Sequence, residues 1–258
     1  MSAAPGPIPQ DTRIPAPANA FGPAAGDYER GRPTYPPAVV ALLAERLGAG
    51  PGARVLDLAA GTGKLTRLLA ETGAITTAVE PVPGMRAQFA AAVPDVAVVD
   101  GTAEAIPFPD AAFDLVTVAQ AFHWFRFDEA LAEIRRVLVP GGALAIIFNE
   151  RDTSEPWVAR WNAAIEWHAR TIARYQATDW SDVLARGGLD QIGSTVSTWA
   201  EPMTSARLAE RVRSVSYVSE LPVDEQQVLV DRVVALVAGR DEPFPVPYRT
   251  HVWWARRP

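Results

Sequence analysis

The stretch VLDLAAGTGKLT, residues 55–66, decides how the rest of the chain is read. An apolar run ends on the carboxylate of Asp57, a turn carrying Gly61 and Gly63 follows, and a leucine-rich segment begins at Lys64. A strand that enters a glycine turn and leaves as a helix offers free backbone amides and the positive end of a helix dipole, which together favour a nucleotide. Three glycine-loop chemistries compete for this turn. The P-loop requires G-x-x-x-x-G-K-[ST]; Gly63-Lys64 fits its end, but Leu58 and Leu65 stand where a glycine and a hydroxyl are needed. The dinucleotide fingerprint G-x-G-x-x-G meets Thr66 at its third glycine, where close helix–strand packing wants no side chain. The pattern D-x-x-x-G-x-G is satisfied by Asp57, Gly61 and Gly63. It suits an adenosine that ends in an amino acid rather than a pyrophosphate.

Around this turn the chain alternates. Short apolar runs at 55–58, 75–79, 96–99, 115–119 and 143–148 are separated by helix-length segments near 64–72, 83–92 and 128–138. Continuous Val/Ile/Leu runs predict strands covered on both faces, and their alternation with helices predicts a mostly parallel sheet with right-handed crossovers. Ahead of them, Val39, Val40, Leu43 and Leu47 share one helical face, started by prolines and stopped by Gly48. Past Asn149 the pattern changes: Trp157, Trp161, Ile165, His168 and Ile172 recur at helical spacing. Residues 191–199 read as a strand, 205–219 and 223–238 as helices, and 248–254 as a last strand. The expected fold is an α/β, Rossmann-like, doubly wound, mostly parallel seven-stranded sheet, with a helical cover from the C-terminal half. Residues 1–26 are expected to form a disordered Pro/Ala-rich tail and 27–258 a single domain, with 27–150 its cofactor-binding core and 151–258 the substrate cover and last two strands.

Composition bounds the function. The chain has 258 residues, 48% of them hydrophobic, and a net charge of −6, which disfavours nucleic acid or an anionic membrane as main partner. Cysteine is absent, so disulfides and thiolate-bound metals are excluded, and the three histidines lie far apart, so no metal is expected. The first 26 residues have neither a basic start nor an apolar core, and no apolar run of 18 residues occurs, so a cytoplasmic protein is expected.

Glu80, which closes the second apolar run, can accept both hydroxyls of a ribose, but NAD and S-adenosylmethionine both carry one. Four ordered segments separate them. VLDLAAGTGKLT, VEPVPGMRAQF (79–89), GTAEAIPFPDAAFDLVTVAQAFHWF (101–125) and LAEIRRVLVPGGALAIIFNERD (131–152) together resemble the class I S-adenosylmethionine-dependent methyltransferases. YERGRPTYP (28–36) and QAFHWF (120–125) resemble the small-molecule subgroup related to trans-aconitate methyltransferases. The resemblance implies that Asp57, Ala59, Gly61 and Gly63 line the methionine and ribose portion of the cofactor. Glu80 would hold the ribose hydroxyls and Met85 would pack on the adenine. Thr102 and Ala103 would lie at the adenine edge, with Gln120 at the end of the fourth strand. The family often has glycine where Ala59 stands, a change that a negative φ would tolerate, and aspartate where Thr102 stands. Thr102 has a second reading, as a helix N-cap for Ala105.

The implied reaction is methyl transfer to a small organic acceptor at O, N or C; the alternative is a non-catalytic protein that binds S-adenosylmethionine on the same fold. A hydride-transferring oxidoreductase would need residues not identifiable in the chain. The base-flipping type of acceptor is disfavoured, because AQAFHW replaces the amide–Pro–Pro–aromatic loop after the fourth strand. His123, just past that strand, is the candidate base or substrate-orienting group, with an alternative role in orienting its own loop. Trp124 and Phe125 form either a pocket wall or the closure of the sheet edge. Tyr28, Arg32 and Tyr35 either fold over the site, Arg32 reaching a carboxylate, or cap the first helix. Asn149 ends the fifth strand and is a candidate to face the substrate. Arg151 would also suit a carboxylate, His168 reads as a core residue of the cover, and Arg135 and Arg136 read as solvated.

Overall fold

A computed structural model of the protein describes residues 31–166, 179–219 and 221–258. Tyr28, His168 and Ile172 therefore lie outside the described residues, as do the expected tail and the first part of the YERGRPTYP segment.

Seven strands form one sheet in the order β3-β2-β1-β4-β5-β7-β6. At its centre β1 (Arg54–Leu58) pairs in parallel with β2 (Ile75–Val79) and with β4 (Phe113–Ala119). Outward, β2 carries β3 (Val98–Val99) and β4 carries β5 (Leu138–Arg151), again in parallel. The other two strands are β6 (Asp190–Met203) and β7 (Phe244–Arg256), and β7 runs antiparallel to both β5 and β6. The sheet is thus mostly parallel, as the run pattern predicts. The strand order reverses between β1 and β4, which opens a crevice at their carboxyl ends.

Alternate β1 side chains feed the two faces. Val55 packs with Leu43, Leu65 and Leu69, while Leu56 and Leu58 pack with Leu131 and Ile134 on the other side. Each such side chain is fully buried and contributes roughly 1.5–3 kcal/mol of transfer free energy. The helices of this half are α1 (Pro37–Ala41), continued as a π turn over Leu42–Arg46, α2 (Lys64–Glu71), α3 (Pro83–Ala92) and α4 (Phe127–Val137). Pro37 and Pro83 sit in first turns, where a missing N–H costs nothing.

The C-terminal half builds a separate apolar cluster over the end of the sheet. Trp157, Trp161 and Ile165 of α5 (Pro156–Glu166) meet Leu208 and Val212 of α7 (Ser205–Arg213) and Leu229, Val230 and Val233 of α9 (Val223–Val234). The helix expected over 205–219 is broken at Ser214 into α7 and the one-turn α8 (Ser216–Ser219). A short helix, α6 (Ser181–Arg186), was not legible in the sequence, because six residues hold less than two turns of pattern. Its preceding residue, Trp180, is fully buried against Phe122, Phe127 and Phe148. Among the described residues no helix is long and apolar enough to cross a membrane.

Two expectations about surface residues need correction. Arg136 is not simply solvated: its guanidinium donates to Glu133, to Asp110 and to the carbonyls of Ile106 and Phe108, tying the 106–110 loop to α4. Arg151 is committed to the cover, donating to Asn162 Oδ1 and stacking 4.5 Å over the Trp161 ring.

Candidate active site

The crevice between β1 and β4 is a cleft, partly open to solvent, at the switch point where ligands bind in open α/β sheets. Its floor comes from the turn after β1 (Asp57, Ala59 and Gly61) and from Ala119 and Gln120 after β4. Arg32, Tyr35, Asn149 and Arg211 close it from above.

Backbone strain is concentrated on this floor. Gly61 has φ +58° and Gly63 φ +86°, both natural for glycine. Ala59 has φ +58° and Gln120 φ +61°, so two side-chain-bearing residues hold the left-handed conformation at the ends of the two strands that frame the cleft. The condition for easy tolerance of alanine, a negative φ, is therefore not met: the tight exit from β1 imposes a positive one. Ala59→Gly is expected to stabilise the protein by about 0.5–1 kcal/mol, the left-handed cost of alanine less the greater unfolded-state freedom of glycine. A melting curve checks it, with a rise of roughly 1–4 °C expected.

Asp57 is buried, and both oxygens are engaged. Oδ2 accepts from Thr66 Oγ1 at 2.6 Å and Oδ1 from Thr117 Oγ1 at 3.0 Å. Thr66, which spoils the dinucleotide fingerprint, is thus the residue that satisfies the buried carboxylate. Burial pushes the Asp57 carboxyl up to about 6, the two hydroxyls opposing that shift and the nearby Glu80 charge adding to it. Glu80 follows β2 and is also buried. Its Oε2 accepts from the Gly61 amide and its Oε1 from the Val82 amide, both at 2.9 Å, so it orients the glycine turn. Burial raises its pKa, opposed by those amides and by Arg86.

Two glycines take different loads. A Cβ on Gly61 would meet nothing within 4 Å, so the backbone there faces open space. A Cβ on Gly63 would lie 2.7 Å from Val93 and 2.9 Å from Phe89. Gly63 is thus needed by packing, and it does not line the cleft.

Glu80, Met85, Thr102, Ala103, His123 and Trp124 also lie outside the cleft lining. Met85 and Ala103 are buried. Thr102 is exposed and starts a turn rather than a helix; the Ala105 amide bonds its carbonyl at 3.3 Å, which corrects the N-cap reading. His123 sits in a 3₁₀ turn (Phe122–Trp124), its ring 4.6 Å from Trp124 and 5.6 Å from Phe148. Burial, reinforced by the charge of Arg32, lowers its pKa to about 3. Trp124 and Phe125 pack half-buried against the main core.

Asn149 does border the cleft, with both ends of its amide occupied: Nδ2 donates to the Thr34 carbonyl at 2.8 Å and Oδ1 accepts from Thr250 at 2.6 Å. It pins residues 31–35 across the end of β5. The same strap is seated on α7, where Arg32 Nη2 donates to the Ser214 carbonyl at 3.3 Å. A Cβ on Gly31 would lie 2.6 Å from Ser214 Cβ, so that approach requires glycine. Sequence reasoning missed Arg211, which no local motif marks and which reaches the cleft only because α7 folds over it.

A family model described as a methyltransferase domain matches residues 56–146. An uncharacterized methyltransferase of Mycobacterium tuberculosis H37Rv is 39% identical over 222 residues, covering 84% of this chain and 85% of its own. Among solved structures, a putative methyltransferase from an antibiotic biosynthesis pathway of Anabaena variabilis superposes with a TM-score of 0.61 at 17% identity, covering 86% of this chain and 98% of that one. Phosphoethanolamine N-methyltransferase 2 of Haemonchus contortus, solved in complex with S-adenosyl-L-methionine, gives 0.56 at 18% identity, covering 92% of this chain and 57% of that one. With strand order, glycine turn and acidic strand ends all in place, the chain belongs to the class I S-adenosylmethionine-dependent methyltransferases.

Proposed function

We infer that the cleft seats S-adenosylmethionine and that the protein methylates a small organic acceptor, within one domain spanning 27–258. The observation that carries this reading is the pair of buried carboxylates, Asp57 and Glu80, flanking a glycine turn whose backbone faces open space. Two neighbouring buried carboxylates, once ionised, favour a cation and repel a pyrophosphate. S-adenosylmethionine brings a sulfonium, an ammonium and a ribose diol, and it supplies an electrophilic methyl group when bound. Asp57 would face its ammonium; Glu80, with acceptor capacity left beyond its two amides, would take the ribose hydroxyls. Met85, Thr102 and Ala103 are assigned to the adenine end. Ala59 and Gln120 hold the backbone beside the methionine part.

The chain's remaining task is to align the acceptor and exclude water. A histidine with a pKa near 3 is neutral at physiological pH and a poor proton acceptor, which supports an orienting role for His123 over that of general base. Arg32, Tyr35 and Asn149 form the roof under which the acceptor lies. The net charge of −6 supports a small acceptor over a nucleic acid. The resemblance to trans-aconitate methyltransferases rests on residues 28–36 and 120–125 and supports the small-molecule reading.

Calorimetric titration with S-adenosylhomocysteine, against NAD as control, tests this. A cationic tail needs ionised Asp57, so affinity is expected to fall roughly tenfold per pH unit below about 6 and to level off above it. The folded protein without ligand should respond oppositely. The Asp57 pKa is raised on folding, so its contribution to stability is largest below about pH 4 and is lost as pH rises to about 6. Binding of NAD in place of S-adenosylhomocysteine would overturn the cofactor assignment.

A further inference from the structure

Arg211 is 5% exposed, yet no carboxylate among the described residues lies within 4.0 Å of its guanidinium. Its Nη1 donates to Ser214 Oγ at 3.3 Å, and its buried Nε–H meets no acceptor among the described residues. Glu201 on the cover pairs with Arg207 at 3.5 Å and feels the charge of Arg211 without an ion pair to it. A guanidinium keeps its charge when buried, and leaving a buried N–H unsatisfied is costly, so this arrangement is stable only if something else supplies the acceptor. Arg211 also lines the cleft, so a ligand can reach it.

Two cations converge at one residue here. Arg32 bonds the Ser214 carbonyl and Arg211 the Ser214 hydroxyl, and both line the same cleft. The cofactor reading above leaves one carboxylate on the cofactor for these two guanidinium groups. Arg32 belongs to the strap lying beside the sheet, pinned through Asn149 to the end of β5. Arg211 belongs to α7, whose apolar side is buried in the separate cluster of the cover. The two guanidinium groups are thus held by different elements, Arg32 by the strap and Arg211 by the cover.

We propose that Arg211 is the docking group for an oxyanion, a carboxylate or a phosphate, carried by the methyl acceptor. This rests on the cofactor reading and narrows the acceptor to an anionic compound. A planar fork with its Nε–H and an Nη–H available suits such a group in bidentate fashion. Docking the anion at Arg211 would anchor the acceptor away from its reacting atom, which the strap and the β4 end then align.

The test uses the full chain loaded with S-adenosylhomocysteine and titrated separately with succinate, citrate and inorganic phosphate. At least one anion is expected to bind, the carboxylate and phosphate arms telling which oxyanion is preferred. In Arg211→Met that binding should weaken at least tenfold, while affinity for S-adenosylhomocysteine changes less than twofold. Arg211→Lys, which keeps the charge but loses the fork, should retain the fold and bind the anion with intermediate affinity. A tenfold loss of S-adenosylhomocysteine affinity in Arg211→Lys or Arg211→Met would overturn the proposal, because Arg211 would then hold the cofactor's own carboxylate. Anion binding unchanged in both variants, or absent from the unsubstituted protein, would overturn it too. Failure of the unsubstituted protein to bind S-adenosylhomocysteine would instead remove the cofactor reading.

Discussion

Gly63→Ala is expected to lower the melting temperature by roughly 5–20 °C, the largest effect on stability of any single methyl group added at the site. Two costs add. The residue sits at φ +86°, where an L side chain costs about 1–2 kcal/mol. The new methyl would also lie 2.7 Å from Val93 Cγ2 and 2.9 Å from the Phe89 ring, and Phe89 is fully buried with no room to retreat. Overpacking of that kind costs about 1–3 kcal/mol more. The turn that would have to shift carries the Gly61 amide held by Glu80, so cofactor affinity should fall as well. A melting temperature equal to that of the unsubstituted protein would mean that α3 moves freely, against its packing on the glycine turn.

Glu80→Ala is expected to weaken S-adenosylhomocysteine binding by a factor of roughly 10²–10⁴. Two charge-assisted hydrogen bonds to a ribose diol are each worth about 1.5–3 kcal/mol, and every 1.4 kcal/mol is a factor of ten. The substitution acts a second time through the free protein, because the amides of Gly61 and Val82 lose their carboxylate acceptor and the glycine turn loses its tether. Calorimetry well below the melting temperature separates weak binding from unfolding. A loss of less than tenfold in a folded variant would remove the ribose assignment and leave the family membership untouched.

Much of the N-terminal half of the sheet was legible because its signals are local. The strand at 75–79, the helix at 83–92 and the turn at 59–63 each carry their pattern within a dozen residues, and the structure places them at those positions. Asp57 and Glu80 were legible for the same reason, each closing an apolar run. The residues that close the cleft were not. Asn149 and Thr34 meet across 115 residues, and Arg32 and Ser214 across 182. Arg151 and Arg136 looked like available cations, and their partners, Asn162 and the carbonyls of Ile106 and Phe108, became visible only once the chain had folded. Arg211 lies in a helix whose sequence resembles any amphipathic segment with a charged face.

The sequence by itself determined the layered α/β fold, the crevice beside β1 and the acidic groups at its strand ends. Hydrophobic periodicity and glycine turns act between near neighbours, so a linear pattern suffices to specify them. Only the tertiary structure decided the positive φ of Ala59, the neutral and buried state of His123, and the convergence of two arginines on Ser214. Those features depend on desolvation and on contacts between distant segments. Burial depth and charge pairing arise when the cover closes over the sheet, and no stretch of the chain encodes them alone.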